Sequence, residues 1–414
     1  MIKKTSMNEP LIRPFAGLLF DKEKIDDISQ CVCPPYDIIP DPGTYYDRNP
    51  FNAVRLELPM ATKSGTEYDE AAKTMEKWLR ERVLVPDQAP TIYVYEQEFD
   101  AEGVSYVRRG IIPLVRLDRS RIFTHEETRK AAREDRERLI QSLKTFTSLI
   151  FSVYDDRKGE TDVLLGSSAK EKIYDFTDEL GIKNRFYRMK NTKEIAGLAS
   201  LLEDKNIYIA DGHHRLSVAF KLGLPYVAMY LTGMYGNGIV IMPYHRTVRF
   251  RKERSLKDLL ARVAPFLSIE KVAIEGTSEL KRRVRQLVAG LNPSFALVSK
   301  EDHTHLYVLT QKKPFFTDQS IPESLRRLSV NVAHAGLLKG LLAIEDDEIS
   351  FVNDAPEAVG QIDDGTSDLA LFVPATTVDE VKDVAEHRLS MPPKSTYFYP
   401  KILTGLVFHR YAQG

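Results

Sequence analysis

Cysteine is almost missing from this sequence: 414 residues hold two, Cys31 and Cys33. Two cysteines one residue apart cannot staple a secreted scaffold, and the expected compartment is a reducing cytoplasm. No CxxC pair exists to complete a zinc site with them. An excess of one charge is also missing, since 58 Lys and Arg stand against 59 Asp and Glu. Such a balance provides no whole-protein field, so nucleic acid and anionic membrane are not expected partners. No apolar run approaches the roughly 18–20 residues that span a bilayer. Met1–Pro10 has lysines with no apolar stretch behind them and is not read as a signal peptide. Neither GxxxxGK[ST] nor a strand-borne GxGxxG occurs. Gly233–Gly238 is glycine-rich with the wrong spacing and reads as a turn, so the standard phosphate loops are excluded.

What is present is enough for a substantial core: 43% of the chain is hydrophobic, and the length suggests two domains. The pattern predicts a mixed α/β (α+β) fold. Leu11–Phe20 is apolar and β-prone. Cys33–Asp37, CPPYD, is an extended loop because two prolines forbid helix. Phe51–Leu58 reads as a strand and Tyr68–Arg82 as a helix. Thr91–Phe99 and Val104–Leu117 form a hairpin turning near Ala101–Gly103. Thr124–Ser142 is helical, Ser148–Tyr154 a strand, Ala169–Leu180 a helix closed by Gly181, Asn184–Met189 a strand and Lys193–Leu202 a helix. Ile207–Ala210, His213–Leu222 and Tyr226–Leu231 form a βαβ unit with parallel strands. The texture changes near residue 245. Beyond it come the basic stretch Arg246–Arg262, the helix Ser278–Leu291, a strand pair at Phe295–Ser299 and Leu306–Thr310, an apolar helix Val330–Leu342, a strand Leu369–Pro374, a helix Val378–His387 and a short strand Ile402–Phe408.

The stretch Ala210–Arg215, ADGHHR, concentrates the chemistry. An apolar strand ends there, Gly212 is free to take positive φ, and a helix begins with its first N–H groups unpaired. His213, His214 and Arg215 load its first turn with donors. Cations at a helix N-terminus are unfavourable by roughly 0.3–1 kcal/mol, which makes sense if an anion such as phosphate binds. Asp211 is a candidate to hold a histidine tautomer, ligate Mg²⁺ or take a proton. The plainer alternative is that Asp211 caps the helix while the histidines pack or face solvent.

DGHHR between a strand and a helix resembles the signature loop of the ParB/sulfiredoxin superfamily, which includes nucleotide-binding partition proteins, sulfiredoxin and free-serine kinases. The chain as a whole resembles the family called domain of unknown function 1015. The matching stretches are RPFAGLLFD at Arg13–Asp21, PPYD at Pro34–Asp37, HEETR at His125–Arg129, ADGHHR, and MPPKSTYFYPK at Met391–Lys401. The resemblance implies a ParB/sulfiredoxin-like core over residues 1–245, with an inserted α+β segment at about 61–197. A C-terminal α+β domain, 246–414, would return the segment 391–401 to the site.

Other clusters have a plain reading and a functional one. HEETR lacks the second histidine of a zinc-protease helix, so it is a solvated helix face unless His125, Glu126 and Arg129 line a site, as the resemblance implies. Lys394–Lys401 is an edge strand or a phosphate clamp, with Lys394, Ser395, Thr396 and Lys401 as donors. Glu57 is a solvated strand end or an acid–base group. His303 and His305 share a strand face. The run Arg246, Arg249, Arg251, Lys252 and Arg254 reads as a solvated strand and helix start.

The function expected is a nucleotide-dependent phosphotransferase acting on a small hydroxyl-bearing metabolite, with ATP or ADP and Mg²⁺. The serine-kinase branch makes free serine the first acceptor. Asp211, His213 and Glu57 are the catalytic candidates and Asp211 the metal ligand. Gly212, His213, His214, Arg215, Lys394, Ser395, Thr396, Lys401, His125, Glu126 and Arg129 are the candidates to hold the nucleotide. The alternatives are a nucleotide-binding switch module without transfer, and a ParB-like nuclease or DNA-binding protein. No clear helix-turn-helix accompanies the latter.

Overall fold

In the computed structural model, residues 9–63, 65–101, 103–288 and 294–411 are described. The first eight residues, the residue at the hairpin tip (102) and the last residues of the expected 278–291 helix lie outside them. The chain divides into two units, one of residues 1–240 and 400–414 and the other of 241–399.

The long hairpin Tyr93–Ala101 and Val104–Ile112 begins the first unit's sheet, each strand pairing along its whole length. It grows into ten strands, in the order 170–177, 183–189, 93–101, 104–112, 226–233, 150–154, 207–211 and 122–123, with 12–13 and 114–116 off this path. Ile92, Val94, Ile111, Ile150, Ile207, Ile209, Val227 and Met229 face one core with helix residues Leu198, Leu202, Leu216 and Ala219. Helices α1, Lys130–Leu143, and α2, His213–Lys221, belong to this unit.

Four expectations here are corrected. Ala169–Leu180 contains Lys170–Thr177 as a strand, paired antiparallel with Lys183–Met189. Gly181, at φ 77°, serves the turn of that hairpin and not a helix end. Asp178 fixes the turn by accepting from Leu180 and Ile182 N–H. Phe51–Leu58 holds a helical turn, Val54–Glu57, because Asn52 accepts from Val54 N–H while its amide donates to the Gln30 and Val32 carbonyls. The strands 207–211 and 226–233 do share a sheet, but they are not a parallel pair. Strand 150–154 lies between them, antiparallel to the first and parallel to the second. Finally, Ile402–Phe408 is no strand. It is held by isolated backbone pairings of Thr404 with Cys33 and Phe408 with Leu18.

The second unit has a six-stranded antiparallel sheet in the order 267–273, 302–311, 294–299, 369–372, 245–248 and 349–352. Helices α3, Thr277–Val288, and α4, Ala355–Asp363, cover one face through Leu280, Val284, Ala355, Ala358 and Ile362. The expected solvated run starting at Arg246 is corrected at its first member. Arg246 is fully buried on the central strand 245–248, its guanidinium against Phe351. The apolar helix expected at 330–342 is wound as a π-helix over Val332–Leu341. Among the described residues no helix is long and apolar enough to cross a membrane.

Candidate functional site

Strand 207–211 ends at Asp211, and Gly212 turns the chain at φ 92° into α2. No side chain caps α2, so the reading of Asp211 as a helix cap fails. Its carboxylate faces two cations instead. Arg215 donates to Oδ2 at 2.7 Å, and Lys401 donates to Oδ1 at 2.5 Å. Arg215 also donates to the Leu149 carbonyl at 2.8 Å. Burial opposes ionisation of Asp211, but Lys401 and Arg215 outweigh it and hold the carboxyl down to about 2.

Lys401 arrives through the returning segment. Arg108, fully buried, donates to the Pro400 carbonyl and to Gln97 Oε1, and Gln97 donates to the Lys401 carbonyl at 3.2 Å. Gly405, at φ 98°, packs where a Cβ would meet that of Ala53 at 2.8 Å. The pairing of Thr404 with Cys33 sets this segment against the CPPYD loop. Cys31 and Cys33 are buried free thiols there.

That loop brings two groups to α2. The Tyr36 hydroxyl lies 3.3 Å from His214 Nδ1, and the Arg129 backbone N–H donates to His214 Nε2 at 3.1 Å. An N–H donor at Nε2 requires a lone pair there, so His214 is neutral with its proton on Nδ1. Burial, then Arg129 and Arg215, hold its pKa below the usual imidazole value. Asp37 keeps solvent access within a crowded wall. Crowding and the Asp211 carboxylate push its carboxyl above the usual range. Sequence reasoning placed Asp37 inside a matching stretch without giving it a role.

His125, Glu126 and Arg129 precede α1 and are not helical, which corrects the expected helix over them. Unwound, the segment sets the His125 ring edge-on to His213, with centroids 4.9 Å apart. Glu126 Oε2 lies 3.5 Å from His213 Nδ1. Among the described residues, His213 Nε2 is buried with no hydrogen-bond partner. Burial pushes His125 down to about 4 and His213 well below its ordinary value. The expected row of three cations on α2 is therefore one cation, Arg215, paired with Asp211, beside two neutral imidazoles.

Glu57 is 1% exposed and sits in a closed network. Thr147 and Ser148 donate to its carboxylate, and Arg136 donates to its carbonyl at 2.8 Å and lies 3.7 Å from Oε1. Glu57, Arg136 and Arg215 line a cavity of about 10 Å³, space for one water-sized sphere. Replacing Glu57 by Ala leaves the buried Thr147 and Ser148 hydroxyls without their acceptor, while Arg136 keeps Asp135, 2.7 Å away, and the backbone carbonyl of residue 57. A loss of about 1–3 kcal/mol is expected, the cost of buried polar groups left unsatisfied, read from urea midpoints; an unchanged midpoint would show the network to be incidental.

Lys394, Ser395 and Thr396 belong to the second unit. Lys394 takes φ 57° with Nζ 5.1 Å from the Tyr244 ring centre, and buried Ser395 donates to the Pro392 carbonyl at 2.7 Å. Among the described residues no group of three or more His, Cys, Asp or Glu has metal-site geometry.

No curated protein matches the chain in sequence. Among solved structures, a conserved hypothetical protein from Pyrococcus furiosus is 13% identical, over 70% of this chain and 92% of its own, with a TM-score of 0.34. A free serine kinase in complex with AMP is 14% identical, over 69% and 86%, with a TM-score of 0.36. SbnI with a C-terminal truncation, from Staphylococcus aureus, is 11% identical, over 72% and 86%, with a TM-score of 0.35. Likeness at this level assigns no activity. A family model matches residues 12–331, which include three of the segments that meet at α2, and the chain belongs to that family, the proteins of unknown function DUF1015.

Proposed function

We propose that the chain is a nucleotide-dependent phosphotransferase acting on a small hydroxyl-bearing metabolite, with free L-serine the first acceptor to test. The observation that carries this reading is the set of groups at the start of α2. Two cations, Lys401 and Arg215, share the Asp211 carboxylate beside uncapped backbone N–H groups, with a second carboxylate, Asp37, interacting with the first. Phosphoryl transfer needs this kind of preorganised charge more than covalent chemistry.

In this reading the α2 N–H groups, Lys401 and Arg215 offset charge on the transferring group. Asp211, held near 2, is too weak a base to deprotonate a hydroxyl and orients the two cations. Asp37, whose carboxyl is raised, is better matched to taking the acceptor's proton. His213 Nδ1 faces Glu126, and with Nε2 buried the imidazole positions Glu126 and does not touch the acceptor. Mg²⁺ typically takes one or two carboxylates plus phosphate oxygens. Asp211 would be the carboxylate to hold such an ion, and it would have to loosen its hold on Lys401 or Arg215. An ion held there would supply positive charge to offset that of the phosphates.

The engagement of both Asp211 oxygens also favours a second reading, a nucleotide-binding switch that performs no transfer. Calorimetry with ATP, ADP and AMP, with ³¹P NMR of mixtures containing serine and other small alcohols, separates the two. Binding plus a new phosphomonoester is expected, with transfer lost in Asp37→Asn and His213→Ala. Binding without transfer to any acceptor would leave the switch reading, and no nucleotide binding would end both.

A further inference from the structure

The second unit contains a cleft of about 420 Å³ between α3, α4 and the ends of strands 267–273 and 302–311. That is the size of ordinary small-molecule sites, roughly 300–1,000 Å³. Ile274, Leu280 and Val359 give it apolar walls continuous with the core under the two helices. Gly360 is exposed on α4, and a Cβ there would meet nothing within 4 Å.

The charge in the lining has one sign. Asp363 is the single carboxylate among the lining residues, and no lysine or arginine joins it. Its Oδ1 lies 3.2 Å from His303 Nδ1, and both side chains are more than half exposed. Asp363 is also the last residue of α4. A helix C-terminus carries partial negative charge and favours a cation. The start of α3, near Gly276, has the opposite polarity, but Glu279 occupies its first turn and accepts from Glu275 N–H. An anion would meet Asp363 and the α4 C-terminus at one end, while toward the other Glu279 is already paired with Arg282 and Arg283. A cation would meet a carboxylate able to exchange its histidine partner.

We propose that this cleft binds a small amine with an apolar body, the ammonium at Asp363 and the body against Leu280 and Val359. The proposal does not rest on the chemistry assigned to α2, and its test does not read that chemistry.

Three probes built on one 3-ethylindole frame decide it on the full chain: tryptamine, neutral 3-ethylindole and anionic indole-3-propionate, titrated by calorimetry. Tryptamine is expected to bind tightest, about tenfold or more ahead of 3-ethylindole, as for a charge-assisted hydrogen bond, with indole-3-propionate weakest. Asp363→Asn should bring tryptamine down to the level of 3-ethylindole. Gly360→Leu places a side chain in the opening and replaces a helical glycine by a better helix former, so it should keep or raise the melting temperature while abolishing binding of the amine. No tryptamine binding to the unaltered chain, equal affinity for amine and acid, or unchanged binding in Gly360→Leu would each overturn the proposal.

Discussion

Asp211→Asn is expected to lower the stability of the first unit by about 3–5 kcal/mol, the usual cost of breaking a buried ion pair by removing one partner. Lys401 and Arg215 share this one carboxylate, and their side chains are 9% and 4% exposed. Asparagine keeps the shape and one acceptor but removes the carboxylate that both cations bond, leaving Asp37 as the counter-charge that acts on them. Read from the sequence alone, the same substitution should be nearly silent in stability, because asparagine replaces aspartate well as a helix cap. The absence of any cap bond from Asp211 reverses that expectation. Lys401→Met alone should cost less, since Asp211 keeps Arg215. The double variant Asp211→Asn with Lys401→Met should recover part of the loss, because one cation instead of two is then left without the carboxylate, Arg215, still bonded to the Leu149 carbonyl. Urea midpoints of the four proteins form a double-mutant cycle with a coupling of the order of 1–3 kcal/mol. Additive losses would mean that Lys401 and Asp211 do not act as a pair.

The part of this site that could be read from the sequence is the part built locally. The change from an apolar strand to helical spacing across Asp211–Gly212 depends on neighbours in the chain, so strand, turn and α2 follow from composition. Lys401 could be picked out as an anion-friendly residue in a proline-bounded segment. Its carboxylate partner could not, since nothing in 394–401 encodes contact with residue 211. Asp37 gave less signal still. It is one acidic residue after two prolines, and what sets it apart is crowding and the charge of Asp211. The same limit explains Ala169–Leu180. Its alanine, lysines and glutamates favour helix locally, but pairing with Lys183–Met189 decides the strand. The opposed directions of strands 207–211 and 226–233 follow from strand 150–154 lying between them, which no pattern inside the 207–231 segment records.

Mild acid is expected to unfold the first unit well before its carboxylates titrate. Burial pushes His125 and His409 from the ordinary 6.5 down to about 4, and His213 well below 6.5. Between its folded value and 6.5, each imidazole holds more protons in the unfolded chain, so falling pH favours unfolding. This stability is fully present above 6.5 and is lost as pH falls toward 4. At pH 5 His125 and His409 have each given up about 2 kcal/mol, at roughly 1.4 kcal/mol per pKa unit, and His213 acts in the same direction. His125 and His409 together give up about 4 kcal/mol, a large share of the roughly 5–15 kcal/mol that holds a domain together. Asp37 works in the opposite direction. Its raised carboxyl adds stability below the ordinary carboxylate value and loses it as pH rises through the folded one, as do the raised Asp162 and Asp178, while His214 yields to acid with the other imidazoles. The slope of unfolding free energy against pH near 5.5 should correspond to an uptake of about three protons on unfolding. His409 offers a control outside the α2 site. Its Nδ1 accepts from the Ala228 N–H at 3.4 Å, and its ring stacks on Phe146. His409→Asn keeps an acceptor and removes the titration, so the slope should fall by about one proton even if the variant is less stable throughout. A flat profile from pH 7 to 5 in the unaltered chain, or an unchanged slope in His409→Asn, would mean that these rings can reach solvent and take up their protons without unfolding.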